Sequence, residues 1–128
     1  MIRNKNTPLQ RRIYTLIRMI PKGRLMSYGS VAAALGKPEA PRAVGGALSR
    51  LPDGHDVPWW RVISASGRIS TPNIHHTANI QRALLEGEGN EFSEGGRVEW
   101  ERYGWGPTPA QIASAVAASE GDTEVGSA

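Results

Sequence analysis

Two adjacent indole rings are the side chains in this sequence best suited to binding chemistry. They occur in the segment Pro58-Trp59-Trp60-Arg61-Val62, within a chain of 128 residues that contains no cysteine. A tryptophan face can stack on an extruded nucleobase, which is worth about 1–3 kcal/mol per base. Tryptophan side chains are also common in protein cores, and the sequence leaves both interpretations open. The lack of cysteine excludes thiolate catalysis, disulfides and zinc–thiolate sites.

Tyr28, Arg42 and a pair of glycines suggest how a base could reach such a surface. Tyr28 could crowd a phosphate and turn its nucleotide out of the duplex, although a half-buried tyrosine with a satisfied hydroxyl is the simpler reading. Arg42, at the start of a predicted helix, could fill the space that a flipped nucleotide leaves. Gly45 and Gly46 follow in that helix, where each glycine costs about 1 kcal/mol relative to alanine. Close approach to a nucleic-acid groove or tight helix–helix packing would explain them.

His75 and His76 are the other side chains that could carry chemistry. A metal site needs further ligands, and neither a cysteine nor a carboxylate lies close to them in the sequence. We therefore expect no metal and no cofactor.

The helices that must position Tyr28 and Arg42 are predicted from caps and periodicity. Thr7-Pro8 is typical of a helix start, and apolar residues then recur on one face as far as Ile20. Ser27 can cap a second helix that ends at Leu35, and a third helix is expected over residues 41–50. Two short helices joined by a tight turn predict a helix-turn-helix.

The second half of the chain is predicted to add a small β element and one more helix. Residues 57–63 are apolar and partly β-branched, and residues 68–70 could pair back as a hairpin or wing. A helix over residues 77–86 would turn Ile80 and Leu84 inward. The expected fold is mainly α with a small β element.

A single domain is expected over residues 1–107, followed by a tail over residues 108–128. The tail is rich in Ala, Ser and acidic residues. We predict that it is flexible, with at most a short helix near residues 110–118.

Charge is unevenly distributed along the chain. Residues 1–70 hold 12 basic and 3 acidic side chains, whereas residues 71–128 hold 3 basic and 9 acidic ones. A basic half suggests a polyanionic partner such as nucleic acid. No apolar run approaches the roughly 18–20 residues of a membrane span. We expect a cytoplasmic, nucleoid-associated protein in a bacterium or a nuclear protein in a eukaryote.

Five short motifs, in order, resemble the core of the O6-alkylguanine-DNA alkyltransferases over about residues 7–89. Because the chain has no cysteine, it most resembles the alkyltransferase-like proteins, which bind alkylated DNA without removing the alkyl group. The resemblance implies a winged-helix-like helix-turn-helix domain, as in the C-terminal domain of the alkyltransferases. The motifs are Ile20-Pro21-Lys22-Gly23-Arg24, Met26-Ser27-Tyr28-Gly29-Ser30-Val31-Ala32, Arg42-Ala43-Val44-Gly45-Gly46-Ala47-Leu48, Pro58-Trp59-Trp60-Arg61-Val62-Ile63 and Leu84-Leu85-Glu86-Gly87-Glu88-Gly89.

The resemblance assigns the DNA-binding roles. Tyr28 would rotate the phosphate of the target nucleotide, and Arg42 would fill the vacated stack. The helix that follows Arg42 would lie in the minor groove. Its contact residues would be Ala43, Gly45, Gly46 and Ala47.

The resemblance also implies a lesion pocket. Its residues would be Tyr28, Val57, Pro58, Trp59, Arg61 and Ser66, with Val57 and Pro58 at the mouth and Arg61 deeper as a supporting charge. The segment 70–76, which is about two residues longer than in transferases, would form one wall.

Three departures from the transferase pattern decide the expected activity. Trp59 stands where transferases carry the acceptor cysteine, and Trp60 stands where they carry the histidine of the relay that activates it. Glu88 matches the glutamate of that relay. Leu51 replaces an asparagine that braces the loop before the site.

The expected function is non-enzymatic recognition of O6-alkylguanine in double-stranded DNA by a monomer that flips the nucleotide. The resemblance suggests nucleotide excision repair proteins as the partners that receive the lesion. The alternatives are a helix-turn-helix transcription factor that reads the major groove, and an enzyme, such as an alkyltransferase that uses another acceptor or a glycosylase.

Overall fold

The computed structural model of the protein describes residues 6–69 and 77–127. This part of the chain forms six α-helices and a two-stranded sheet. In order they are α1 (Pro8–Arg18), β1 (Met26–Ser27), α2 (Tyr28–Ala34), α3 (Pro41–Ser49), a 3₁₀ turn (Trp59–Arg61), β2 (Val62–Ile63), α4 (Ala78–Gly87), α5 (Trp100–Tyr103) and α6 (Pro109–Ser127). The predicted class, mainly α with a small β element, is confirmed.

The first two helices begin where their capping residues predicted. The Thr7 hydroxyl accepts the Gln10 amide at 3.1 Å, while the Gln10 side chain accepts the Thr7 amide at 2.9 Å. Ser27 and Ser30 make the same reciprocal pair at the start of α2. Each pair satisfies two backbone donors that a helix start leaves without intrahelical acceptors. The N-terminal turns of α1 and α2 are thereby fixed by local sequence.

The helix-turn-helix prediction is confirmed, with α2 and α3 packed against each other and against α1. Gly36 follows α2 with a φ of 78°, a left-handed conformation that glycine adopts without strain. Pro41 then opens α3 at its first position. The main core lies between these three helices and α6, and a second cluster is built around Leu25, Ile63 and Leu85.

The β element differs from the prediction. Of residues 57–63, only Val62 and Ile63 form a strand, and they pair in parallel with Met26 and Ser27. Residues 64–68 form a turn in which the Ser64 amide donates to the Arg68 carbonyl at 3.1 Å. Arg68 and Ile69 lie outside any strand, and Ser70 lies outside the described residues, so the predicted wing hairpin is wrong for residues 68–69.

Helix α4 presents a different face to the core than the sequence predicted. Ile80 and Leu84 are 48% and 38% exposed, whereas Gln81 and Leu85 are buried. The Gln81 amide donates to the Trp60 and Val62 carbonyls at 3.1 and 3.0 Å. These two hydrogen bonds satisfy buried backbone acceptors of the 3₁₀ turn and β2, and they orient the helix.

The tail predicted after residue 107 contains a helix, which is longer than the short one expected near residues 110–118. Helix α6 runs from Pro109 to Ser127 and packs along α1. Ala115 is 0% exposed and belongs to the main core, because its small side chain lets α6 lie close to α1. The limits of the two units, 1–107 and 108–128, remain a prediction.

A charge on the buried face of α6 tests this packing. Ala115→Asp would bury a carboxylate without a partner, so we expect the free energy of unfolding to fall by about 3 kcal/mol. Ala113→Asp adds the same charge on the exposed face of the helix and should change stability little. Denaturant titration measures both variants. Equal stabilities would mean that α6 does not contribute to the core.

Candidate nucleic-acid interface

Tyr28 and Arg42 occupy equivalent places at the starts of the two helices of the helix-turn-helix. Tyr28 is the first residue of α2, directly after its cap, and it is half-buried against the main core. Burial raises the pKa of its hydroxyl above the usual value, so the phenol is neutral at physiological pH. Arg42 is the second residue of α3 and is exposed. Both side chains are therefore positioned by helix starts.

The glycine pair of α3 is not required by packing inside the protein. A Cβ at Gly45 would lie 4.0 Å from the Tyr28 ring, an ordinary van der Waals distance. A Cβ at Gly46 would come within 3.0 Å of only the guanidinium of Arg50, the mobile end of a long side chain. Tight helix–helix packing is therefore not the reason for the pair. Ala43, Gly45 and Gly46 are partly exposed, which agrees with an outward-facing role.

Ala47 does not share that face, and its assignment as a DNA contact is wrong. It is 0% exposed, and its carbonyl accepts a hydrogen bond from the buried hydroxyl of Tyr14 in α1. The helical period explains the difference, since Ala47 lies close to the direction of the buried Val44, three residues earlier.

The residues predicted to form the lesion pocket are mostly buried. Val57 and Pro58 are buried, and Trp59 is 8% exposed and belongs to the main core. Its ring meets that of Trp60 edge to face, with centroids 6.0 Å apart. Ser66 lies apart on the exposed turn after β2, where its hydroxyl is 3.0 Å from that of Ser64. The predicted wall, residues 70–76, lies outside the described residues.

Arg61 and Glu88 form a largely buried ion pair that the sequence only partly anticipated. The guanidinium donates from Nε and Nη2 to the two carboxylate oxygens at 3.0 and 2.7 Å, with side chains 15% and 11% exposed. Its Nη1 donates to the Ile20 carbonyl at 2.7 Å. Arg61 thus ties the 3₁₀ turn to the ends of α4 and α1, as the predicted supporting charge would.

Trp60 completes this ion pair in a way that the sequence analysis missed. Its indole Nε1 donates to Glu88 Oε2 at 3.1 Å, and Arg61 lies over its ring at 5.6 Å. Glu88, which matches the glutamate of the transferase relay, binds both residues that follow Trp59. The sequence did contain a signal for this contact, because an arginine that is expected to be buried needs a counter-charge.

The pKa of Glu88 reflects these contacts. Burial alone would raise it, but hydrogen bonds from Arg61 and Trp60 outweigh burial and hold it below the usual value. At acidic pH, the Glu88 carboxylate is therefore protonated to a smaller extent in the folded protein than in the unfolded chain. The stability that Glu88 contributes is present above pH 4.5, its ordinary value, and is lost as the pH falls through the lower folded-state pKa.

Glu88→Gln tests this dependence. The variant should be less stable than the parent at neutral pH, and the difference should shrink as the pH falls below 4.5. Urea titrations over a pH series measure it. A difference that stays constant with pH would show that the charge of Glu88 does not stabilise the fold.

The loop before Trp59 is braced by a histidine. Leu51, which the resemblance puts in the place of an asparagine, packs against the main core. The side chain of His55 accepts the Val57 amide through Nδ1 at 3.1 Å. Support for this loop therefore comes partly from His55, which the sequence analysis did not single out.

Metal binding finds no support in the described residues. Within residues 6–69 and 77–127, no three histidine, cysteine or carboxylate side chains are grouped so that they could hold a metal ion. His75 and His76 lie outside these ranges. No helix in the same part of the chain has the length and apolarity needed to cross a membrane.

Known proteins share both the sequence and the fold of this region. Residues 8–90 match the family described as 6-O-methylguanine DNA methyltransferase, DNA binding domain. A DNA base-flipping protein of Vibrio parahaemolyticus is 41% identical over 95 residues, which cover 74% of this chain and 93% of the relative. Alkyltransferase-like protein 1 of Schizosaccharomyces pombe is 34% identical over 100 residues, which cover 75% and 93%.

The fold matches that of a solved DNA complex. The crystal structure of S. pombe Atl1 with damaged DNA containing O6-carboxymethylguanine superposes with a TM-score of 0.70 at 32% identity. The match covers 83% of this chain and 100% of that one.

Proposed function

This chain belongs to the family of the 6-O-methylguanine DNA methyltransferase DNA-binding domain, as an alkyltransferase-like member, and on that basis we propose that it recognises O6-alkylguanine in duplex DNA without repairing it. In this proposal the helix-turn-helix binds from the minor groove and turns the alkylated nucleotide out of the stack. The base-flipping relative and the relative solved with damaged DNA support it.

The proposal depends on which residue lies at the position that corresponds to the acceptor cysteine of the transferases. The chain has no cysteine, and we assign Trp59 to that position from the motif that it shares with the family. Trp60, which we assign to the place of the relay histidine, donates its indole hydrogen to Glu88. Neither an acceptor thiol nor a base to activate one is present there. The protein is thus proposed to bind the lesion and to leave it chemically unchanged.

The DNA-binding roles are proposed for residues of the two helices that are at least partly exposed. Tyr28 would rotate the phosphate, Arg42 would occupy the vacated stack, and Ala43, Gly45 and Gly46 would lie against the minor groove. Trp59 would line the lesion pocket from its inner side, since little of the ring is exposed. Flipping a base costs a few kcal/mol of lost stacking and pairing. The cost is smallest for a damaged base, which favours binding to lesions.

Affinity for matched duplexes is the direct test. Two duplexes that differ only in O6-methylguanine or guanine at one position, compared at one stated salt concentration, should differ in Kd by at least about tenfold. Equal affinities would contradict lesion recognition. A strong preference for one undamaged sequence would instead support the transcription-factor alternative.

The same duplex, radiolabelled in the methyl group, tests the absence of chemistry. All label should remain in the DNA after incubation with excess protein. Transfer of label to the protein, or release of free base, would establish an enzyme instead.

We also propose that the protein acts as a monomer and passes the lesion to nucleotide excision repair, since it has no means of completing the repair. Repair of O6-alkylguanine would be measured in cells that lack this protein, excision repair or both. A double defect no larger than the single ones is expected. Additive defects would place the protein in a separate pathway.

A further inference from the structure

A groove of about 500 Å³ lies beside the helix-turn-helix, outside the proposed lesion pocket. One side is formed by Ser27 and Ser30 at the start of α2, and the other by Trp100, Trp105 and Gly106. None of the described residues that line it carries a charge. A groove of this size falls within the range of ordinary small-ligand sites.

Backbone and side-chain hydrogen bonds fix the walls of this groove. The Trp105 amide donates to the Leu25 carbonyl at 2.9 Å, and the Leu25 amide donates to the Tyr103 carbonyl at 2.9 Å. The Trp100 indole donates to the Ala65 carbonyl at 2.9 Å. These hydrogen bonds connect the groove's walls to one another.

Its position places it next to the proposed DNA surface. Ser27 caps the helix that Tyr28 opens, and Ala65 precedes the exposed Ser66. Tyr28 approaches Gly45 of α3, while Ser27 and Ser30 open onto the groove. Because Ser27 directly precedes Tyr28, a DNA strand that contacts Tyr28 would lie close to this groove.

We propose that the groove binds a nucleotide of the lesion-bearing strand adjacent to the flipped one, an inference that rests on the proposed function. Two partly exposed indoles offer flat faces to a base or a deoxyribose, which suits an uncharged site. The serines, Ala65 and Gly106 leave room for a sugar. Arg24 and Arg68 are exposed and lie one and three residues in sequence from Leu25 and Ala65 of the lining, and in this proposal they face the phosphates.

A carboxylate at the rim tests this site without disturbing the fold. A Cβ at Gly106 meets nothing within 4 Å, and the same holds at Gly87 on the exposed face of α4. Gly106→Glu would set a negative charge beside the bound strand. Gly87→Glu adds the same charge away from the groove, and Gly106→Gln adds the same length without charge.

The Kd of each variant would be measured for the O6-methylguanine duplex and for its undamaged counterpart. Gly106→Glu should weaken binding to both about tenfold more than Gly87→Glu does, and Gly106→Gln should stay within about twofold of the parent. Equal effects of the two glutamates would overturn the proposal. Preference of the parent protein for the O6-methylguanine duplex is a separate result. If the parent shows no such preference, the proposed function is contradicted, but the Kd values of the variants for undamaged DNA still test the groove.

Discussion

Arg42→Ala is expected to remove most of the affinity for O6-alkylguanine DNA, by roughly 10–100-fold in Kd. The guanidinium is exposed at the second position of α3, and packing in the core does not depend on it. If it fills the space of the flipped nucleotide, its loss leaves an unstacked gap in the duplex, which costs a few kcal/mol. Binding to undamaged DNA should weaken less, because fewer nucleotides are flipped there.

The matched control is Arg97→Ala, which removes the same exposed charge from the segment after α4. It should lower the affinity for damaged and undamaged duplexes to the same small extent, as expected for long-range electrostatics. Fluorescence of 2-aminopurine placed opposite or beside the lesion would report flipping directly. If Arg42→Ala and Arg97→Ala behave alike, Arg42 does not enter the stack.

Arg61→Ala is expected to have the largest effect on stability, a loss of about 3–5 kcal/mol in the free energy of unfolding. The substitution leaves the Glu88 carboxylate largely buried with its counter-charge removed, and it leaves the Ile20 carbonyl without its donor at 2.7 Å. Because these contacts tie the 3₁₀ turn to α4 and α1, lesion binding should fall with stability. Urea titration and the melting temperature measure the change.

The exposed pair Arg18–Asp56 provides the comparison for Arg61. Its atoms are also 2.7 Å apart, but solvent reaches both side chains. Asp56→Ala should therefore change stability little. A double variant, Arg61→Met with Glu88→Leu, should recover much of the loss by removing both charges. Similar stabilities for Arg61→Ala and Asp56→Ala would show that the buried pair does not hold the turn.

The helix-turn-helix could be predicted from the sequence because its determinants are local. Thr7, Ser27 and Pro41 sit at the helix starts, and Gly36 ends α2, so short-range rules suffice to place Tyr28 and Arg42. The positive φ of Gly36 and the two capping pairs agree with that reading. The resemblance to a known family then supplied roles that these local rules do not contain.

Contacts between distant segments could not be predicted in the same way. The sequence of α4 favours Ile80 and Leu84 as its buried face, but hydrogen bonds from Gln81 to carbonyls about twenty residues earlier decide its orientation. Parallel pairing of β1 and β2 joins residues 36 positions apart, such as Met26 and Val62. Ala115 gave no signal, because an alanine among alanines does not reveal which face is buried.

The hydrogen bond from Trp60 to Glu88 also bears on how this protein could change over evolutionary time. A single substitution at position 59 would supply a thiol, but the carboxylate needed to activate it would still be held by Trp60 and Arg61. Repair by this route would therefore require replacement of both Trp59 and Trp60. Replacing either one alone would leave the thiol or its activation missing.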